Sequence, residues 1–175
     1  MSVMCERGFG DTRIAQIAER AGLSGGTIIY HFRTLDSLLV AALAHSENEF
    51  YSAAERVVAG AKGPREQLSR LVTWALMPEP HTDQLWILWL EMWSEAPRHP
   101  AVAKARSEGD VRWRNMIAGI AAASGKTRER VDRFAVTFAA LIDGLAIQVV
   151  LEDSEMAPSQ AIEIAMSFAV NSLDL

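Results

Sequence analysis

The chain has 175 residues, half of them hydrophobic, with a formal net charge of −5 and a single cysteine. That size and composition suit one domain, or a small and a medium one, with a sizeable core. They argue against a nucleic-acid coat protein, an internal disulfide and, with no apolar run near 18 residues, a membrane span. No basic-then-apolar leader opens the sequence, and the lone Cys5 fits a reducing cytoplasm. Only six prolines occur and no hairpin dipeptide stands out, so an all-α fold is expected.

In chain order, residues 1–7 read as one or two helical turns closed by Gly8. Thr12 is the expected N-cap of a helix over 13–21, with Ile14, Ile17, Ala18 and Ala21 on one face. Gly22 ends it in a left-handed conformation, and Leu23 is expected to be a buried turn residue. Ser24 caps a second short helix to Phe32. Two short helices joined by Ala-Gly-Leu-Ser form a helix-turn-helix pattern. Thr34 caps a long connector to about Ala59. Pro64 opens a helix to about Met77, and Pro78-Glu79-Pro80 stops it. Asp83 is expected to cap a helix to Glu95. Helices over 101–123, 128–151 and 158–173 complete the chain. The organisation is a small helix-turn-helix unit over 1–45 followed by a larger helical bundle over 46–175. Residues 1–45 carry four arginines and four carboxylates, so the whole net charge lies in the second part.

In a helix-turn-helix, the first turn of the second helix enters the major groove. Gly25 and Gly26 would let that turn approach the duplex and leave its amides open to phosphate. Thr27, Tyr30 and His31 supply hydrogen-bonding groups, while Ile28 and Phe32 anchor the helix onto Ile14, Ile17 and Leu38. Any helical hairpin could show the same pattern.

The run RGFGDTRIAQIAERAGLSGGTIIYHFRTLDSLLVAAL, from Arg7 to Leu43, resembles the N-terminal domain of the TetR family of bacterial transcriptional repressors. The resemblance rests on Gly8-Phe9, Thr12, Ile14, Ile17-Ala18, Ala21-Gly22-Leu23-Ser24, Gly26-Thr27, Tyr30-His31-Phe32 and Leu38-Leu39. It implies an all-α homodimer that binds a double-stranded palindromic operator and is released by a small-molecule effector. It also implies that Thr12 and Arg13 start the helix over the DNA backbone, and that Ser24, Gly25, Gly26, Thr27, Tyr30 and His31 face DNA. The family often has a longer first helix, a Lys where Gly25 stands and a Lys where Leu35 stands. Weak, strongly salt-sensitive operator binding is therefore expected.

In the second part, LWILWLEMW places Trp86, Trp89, Leu90 and Trp93 on one helix face. Trp74, Trp113, Met116, Phe134 and Phe138 lie on neighbouring helices. These nine are the candidate effector pocket; core packing is the plainer reading of the same stripe. Glu91 or Asp143 beside aromatics would favour a cationic ligand; an ion pair with Arg112 or Arg114 is the alternative, and a flat hydrophobic effector is equally open. The segments WLEMWSEAPRHP and FAALIDGLAIQVVLE resemble the TetR subgroup that includes choline-responsive repressors of betaine synthesis. On the last two helices, Leu141, Leu145, Gln148 and Val149, with Ile162, Met166 and Ala169, are the expected dimer interface, in part or whole replaced by packing within one bundle.

His31, His45, His81 and His99 are scattered, and no metal, nucleotide-loop or nucleophile motif is present. No cofactor, metal or enzymatic activity is expected. The alternative to a repressor is a helical ligand-binding or interaction module with weak or no DNA binding.

Overall fold

The computed structural model describes residues 2–8, 10–77 and 80–175, with side chains described except at 2, 5 and 80–83. Phe9 of the Gly-Phe pair and the Pro78-Glu79 stop lie outside these residues, as do the side chains of Cys5, His81 and Asp83. The described residues form helices and no strand. The helices are α1 (Ser2–Arg7), α2 (Ile14–Ala21), α3 (Gly25–Phe32), α4 (Leu35–Val58), α5 (Pro64–Leu76), α6 (Pro80–Glu95), α7 (Pro100–Ala122), α8 (Arg128–Val150) and α9 (Pro158–Leu173). Helix α6 starts three residues ahead of the expected Asp83 cap. The chain forms two compact units: Met1–Glu49 with Ile87–Glu108, and Phe50–Trp86 with Gly109–Leu175. The first unit thus takes in 87–108 besides the N-terminal helices.

In the first unit, Gly8 ends α1 at φ 78, its N–H donating to the Met4 carbonyl at 2.9 Å. Thr12 is not the cap of α2. Its side chain is fully buried and its hydroxyl donates to the Gly8 carbonyl at 2.7 Å. Arg13 holds the cap position instead, its N–H donating to Gln16 Oε1 at 2.9 Å. At the other end, Gly22 adopts φ 66 and ψ 29. The Leu23 N–H reaches back to the Ala18 carbonyl at 2.9 Å, a Schellman closure that only a left-handed residue permits cheaply. Leu23 is 53 % exposed, contrary to expectation. The residue its side chain would pack on in that motif is Ala18, whose methyl offers little surface.

Ser24 caps α3 as expected, its Oγ accepting from the Thr27 N–H at 3.1 Å. Ile28 is buried and Phe32 half-buried, so α3 is pinned by its inward face. Thr34 caps α4 through the Ser37 N–H at 3.1 Å. The core of the unit is Met4, Leu39, Leu43, Leu88, Met92 and Val102, with Ile17, Leu35, Trp89 and Trp93 packed against it. Each fully buried aliphatic there contributes roughly 1.5–3 kcal/mol over its exposed state.

The second unit is layered around α5, α8 and α9. Pro64 opens α5 and Pro158 opens α9, where the missing N–H costs nothing. Ala161, Ala165 and Ala169 recur every four residues on α9, all fully buried, so neighbouring helices approach to methyl distance. Phe134, Phe138 and Phe168 stack, with centroids 4.9, 5.9 and 6.1 Å apart. Trp86 Nε1 donates to the Ala75 carbonyl at 3.0 Å, and the Tyr51 hydroxyl to the Gly109 carbonyl at 2.9 Å.

The expectation that no apolar run nears membrane length does not hold for α8. An 18-residue window of that helix reaches a mean hydropathy of 1.6, long and apolar enough to cross a bilayer. Phe134, Phe138, Ile142, Leu145 and Val149 spend one side of it in the bundle core. Val136 and Leu151, 55 % and 66 % exposed, lie on another.

Candidate nucleic-acid interface and ligand site

Helix α3 divides sharply. With Ile28 turned inward, the outer face carries Tyr30, 82 % exposed, and Ile29, 50 % exposed. Ser24, Gly26, Thr27 and His31 are exposed and Gly25 is half-buried. The Tyr30 and His31 rings meet edge-on at 5.2 Å. Ser24 Oγ and Thr27 Oγ1 lie 2.8 Å apart, so the two hydroxyls orient one another at the helix start.

The glycines of this turn are not demanded by the chain's own packing. A Cβ on Gly25 would meet only Ile14 at 4.0 Å, and one on Gly26 only Ser24 Oγ at 3.7 Å, both ordinary contacts. Two glycines in a helix cost about 1 kcal/mol each relative to alanine. The sequence tolerates that cost where nothing internal requires it.

Of the remaining expected contacts, Thr12 is fully buried and its hydroxyl donates to the Gly8 carbonyl at 2.7 Å. Arg13 is exposed, but its Nη1 folds back on the Gly10 and Thr12 carbonyls at 2.7 and 3.0 Å. Arg20 bridges to Glu6 at 2.8 Å, and this hydrogen bond holds the Glu6 carboxyl below its usual range. Two residues escaped sequence reasoning. Ile29 looks like core in a hydrophobic run. Arg33 ends α3 at φ 62, exposed, and no local signal marks a left-handed arginine.

The nine candidate pocket residues fall in both units: Trp89, Leu90 and Trp93 in the first, the other six in the second. Trp89 and Trp93 pack on the first unit's core, and Leu90 is half-buried in the same unit. Glu91 lies beside Gly8, where a Cβ would stand 3.0 Å from its Oε2. Trp86 is buried in the second unit. Phe134 and Phe138 belong to the stack with Phe168, and Met116 is half-buried. Trp74 and Trp113 do come together, around Phe50, with centroids at 4.7 and 5.7 Å. Tyr51 joins edge-on at 5.3 Å from Phe50, and the Arg112 guanidinium sits 4.0 Å over the Tyr51 ring. Phe50 and Tyr51 were missed because adjacent aromatics on a long connector read as spacing residues. In this cluster Trp113 Nε1 is buried with no hydrogen-bond partner. An orphaned donor costs about 1–3 kcal/mol unless something supplies an acceptor. Trp74 also lines a cleft of about 590 Å³ with Val57, Ser69, Arg70, Thr73 and Met77.

Of the predicted pairing residues, Leu145, Val149 and Ala169 are buried within the protomer's own bundle. Leu141, Gln148, Ile162 and Met166 are half-buried. The apolar stripe on the outer side of α8 runs from exposed Val136 and Ala140 through half-buried Gly144 and Ile147 to exposed Leu151 just past its end, and Ile164 of α9 is 37 % exposed.

Two family models match. Residues 1–42 match the tetR family of bacterial regulatory proteins, and residues 64–174 match the C-terminal part of BetI-type transcriptional repressors. An HTH-type transcriptional regulator BetI from Burkholderia cenocepacia is 29% identical over 165 residues, covering 93% of this chain and 84% of the relative. A transcriptional regulator from Saccharomonospora viridis, solved in complex with choline, superposes with a TM-score of 0.83 at 26% identity, over 95% of this chain and 88% of that one. A regulator from Pseudomonas aeruginosa shares the fold at TM-score 0.85 and 21% identity, over 99% and 86%.

Proposed function

The chain belongs to the TetR family of bacterial regulators, ligand-responsive DNA-binding proteins rather than enzymes, and we propose how this member divides the work among its residues. It represses transcription in the cytoplasm as a homodimer, from a palindromic operator, until a small cationic effector of the choline class releases it. Gly25 and Gly26 bring the first turn of α3 against the duplex. Ser24, Thr27, Tyr30 and His31 contact sugar and phosphate oxygens, and the backbone of Thr12 and Arg13 starts α2 over the opposite strand. Two copies pair through the open stripe of α8 with Ile164, beside the half-buried Leu141, Gln148, Ile162 and Met166, as a four-helix contact. An apolar face this long on α8, left uncovered by its own bundle, supports pairing over membrane insertion.

The effector is held by Phe50, Tyr51, Trp74 and Trp113 rather than by the full set of nine. The observation that carries this is the orphaned Trp113 Nε1 inside an aromatic group. Aromatic faces attract a quaternary ammonium, and one face of the group already holds the Arg112 cation. The buried N–H asks for an acceptor, which the hydroxyl of choline provides. The choline complex of the Saccharomonospora viridis relative agrees with this chemistry. Because α4 carries Leu39 and Leu43 as well as Phe50 and Tyr51, one helix is shared by the effector group and the reading unit's core.

The test is a tryptophan-fluorescence titration with choline and with tetramethylammonium, which lacks the hydroxyl. Choline should quench and bind more tightly, and Trp113→Phe should remove the difference between the two. Equal binding of both by the unaltered protein, or no response to either, refutes the assignment. Absence of binding to any inverted-repeat duplex would instead favour a ligand-binding module without a DNA role.

A further inference from the structure

We propose that Ile29 reads the 5-methyl group of one thymine in each operator half-site, and so sets base preference where its neighbours only position the protein. This rests on α3 entering the major groove. A solitary exposed isoleucine carries little meaning by itself. The surroundings of this one give it weight. A helical side chain leans toward the N-terminus and covers the turn three and four residues before it. For Ile29 that turn is Gly26 and Gly25. Neither has a side chain, and no atom of Ile29 comes within 4 Å of a Cβ placed on either, so the exposed isoleucine stands beside an open notch whose floor is bare backbone. Ile28, the next residue back, is buried at 4 % exposure while Ile29 stands at 50 %, so Ile29 is not a second core anchor. The glycine floor lies in the first turn of the helix, the part a helix-turn-helix inserts into the groove, and Ile29 stands one turn on.

The chemistry of the notch selects its occupant. In the major groove, thymine alone presents a methyl group; cytosine places an N4 amino donor on the same edge. Ile29 has no acceptor for that donor, and burying it unpaired is unfavourable. A β-branched residue in a helix is restricted to one dominant χ1 rotamer, so its methyl groups are fixed in place before DNA arrives. Tyr30 is more exposed but ends in a hydroxyl, which suits a phosphate oxygen and not a methyl.

The experiment selects duplexes from a randomised library with the full chain. Each thymine of the recovered inverted repeat is then replaced by deoxyuridine, which removes only the 5-methyl. One thymine per half-site should weaken binding roughly fourfold on replacement, the worth of one buried methyl, and about fifteenfold when both half-sites are changed. Ile29→Ala should bind the thymine duplex as weakly as the unaltered protein binds the deoxyuridine one, and show no further loss. Ile29→Val, which keeps the branched wall, should retain most of the thymine preference. Tight binding by the unaltered protein to every deoxyuridine duplex overturns the proposal, as does a methyl effect that persists in Ile29→Ala. A library that yields no inverted repeat overturns the DNA-binding reading itself, and this inference with it.

Discussion

Replacing Arg33 by glycine should make the protein more stable and a poorer DNA binder. Helices α3 and α4 diverge by 77° at Arg33-Thr34. The turn is made with Arg33 at φ 62 and ψ −44, and the Thr34 N–H donates to the Phe32 carbonyl at 2.7 Å. That three-residue closure is the strained form of γ-turn. Ser37 Oγ bonds the same carbonyl, so the surroundings fix the conformation. A non-glycine residue held there costs on the order of 1–3 kcal/mol. Glycine removes that strain but adds about 0.4–1 kcal/mol of unfolded-state entropy. The expected net gain is about 0.5–2 kcal/mol, a rise in Tm of roughly 1–8 °C for a chain of this size. The lost guanidinium acts the other way. If each copy neutralises one phosphate through Arg33, the slope of log K against log salt should flatten by about 1.8 for a dimer. Calorimetry gives the first quantity, and fluorescence anisotropy on a selected duplex from about 50 to 200 mM salt gives the second. Arg33→Ala separates the two effects, since it keeps the left-handed backbone and loses the charge. An unchanged or lower Tm in Arg33→Gly refutes the strain argument. An unchanged salt slope in both variants refutes the phosphate contact.

Gly8→Ala should destabilise the first unit by about 1–2 kcal/mol, read as a lower urea midpoint, because φ 78 is unfavourable for alanine. The 3.0 Å approach to Glu91 adds less, since a carboxylate at the end of a flexible side chain can shift. Glu6→Gln should lower Tm slightly near neutral pH and converge with the unaltered protein in acid. The folded-state pKa of Glu6 is lowered by the Arg20 hydrogen bond, so its contribution is present above the ordinary glutamate range and lost as pH falls through the lowered value. The effect is small for a pair whose side chains are both 52% exposed. Replacing Val136 and Leu151 together by lysine should yield monomers by light scattering with the helical circular dichroism intact, because both side chains are exposed in the protomer.

Local chemistry was legible wherever one residue decides one backbone event. Gly22, Ser24, Thr34, Pro64 and Pro158 each start or stop a helix where the sequence placed the break. Thr12 failed because a threonine hydroxyl that caps a helix and one that bonds a buried carbonyl look alike in sequence. The tryptophan stripe is a different case. Helical period states which residues share a face, not what covers each length of it, and α6 is long enough to be covered by different partners. Trp86 answers to Ala75, whereas Trp89 and Trp93 answer to the core of Met4, Leu39 and Leu43. On α8, the inward and outward sides are both apolar, so Leu145 and Val149 could not be told from Val136 and Leu151 by type. Burial within one protomer separates them.

The alanine column of α9 has a bearing on what this protein can become. Ala161, Ala165 and Ala169 are fully enclosed, so the distance from α9 to its neighbours is gauged by a methyl group. A larger residue at any of the three would cost about 1–3 kcal/mol and push α9 outward, carrying Ile164 with it. No residue of the proposed effector group or of the outer face of α3 belongs to this column, so those residues are free to change one by one. New ligands and new operators are therefore within reach of single substitutions, while a new geometry of pairing is not.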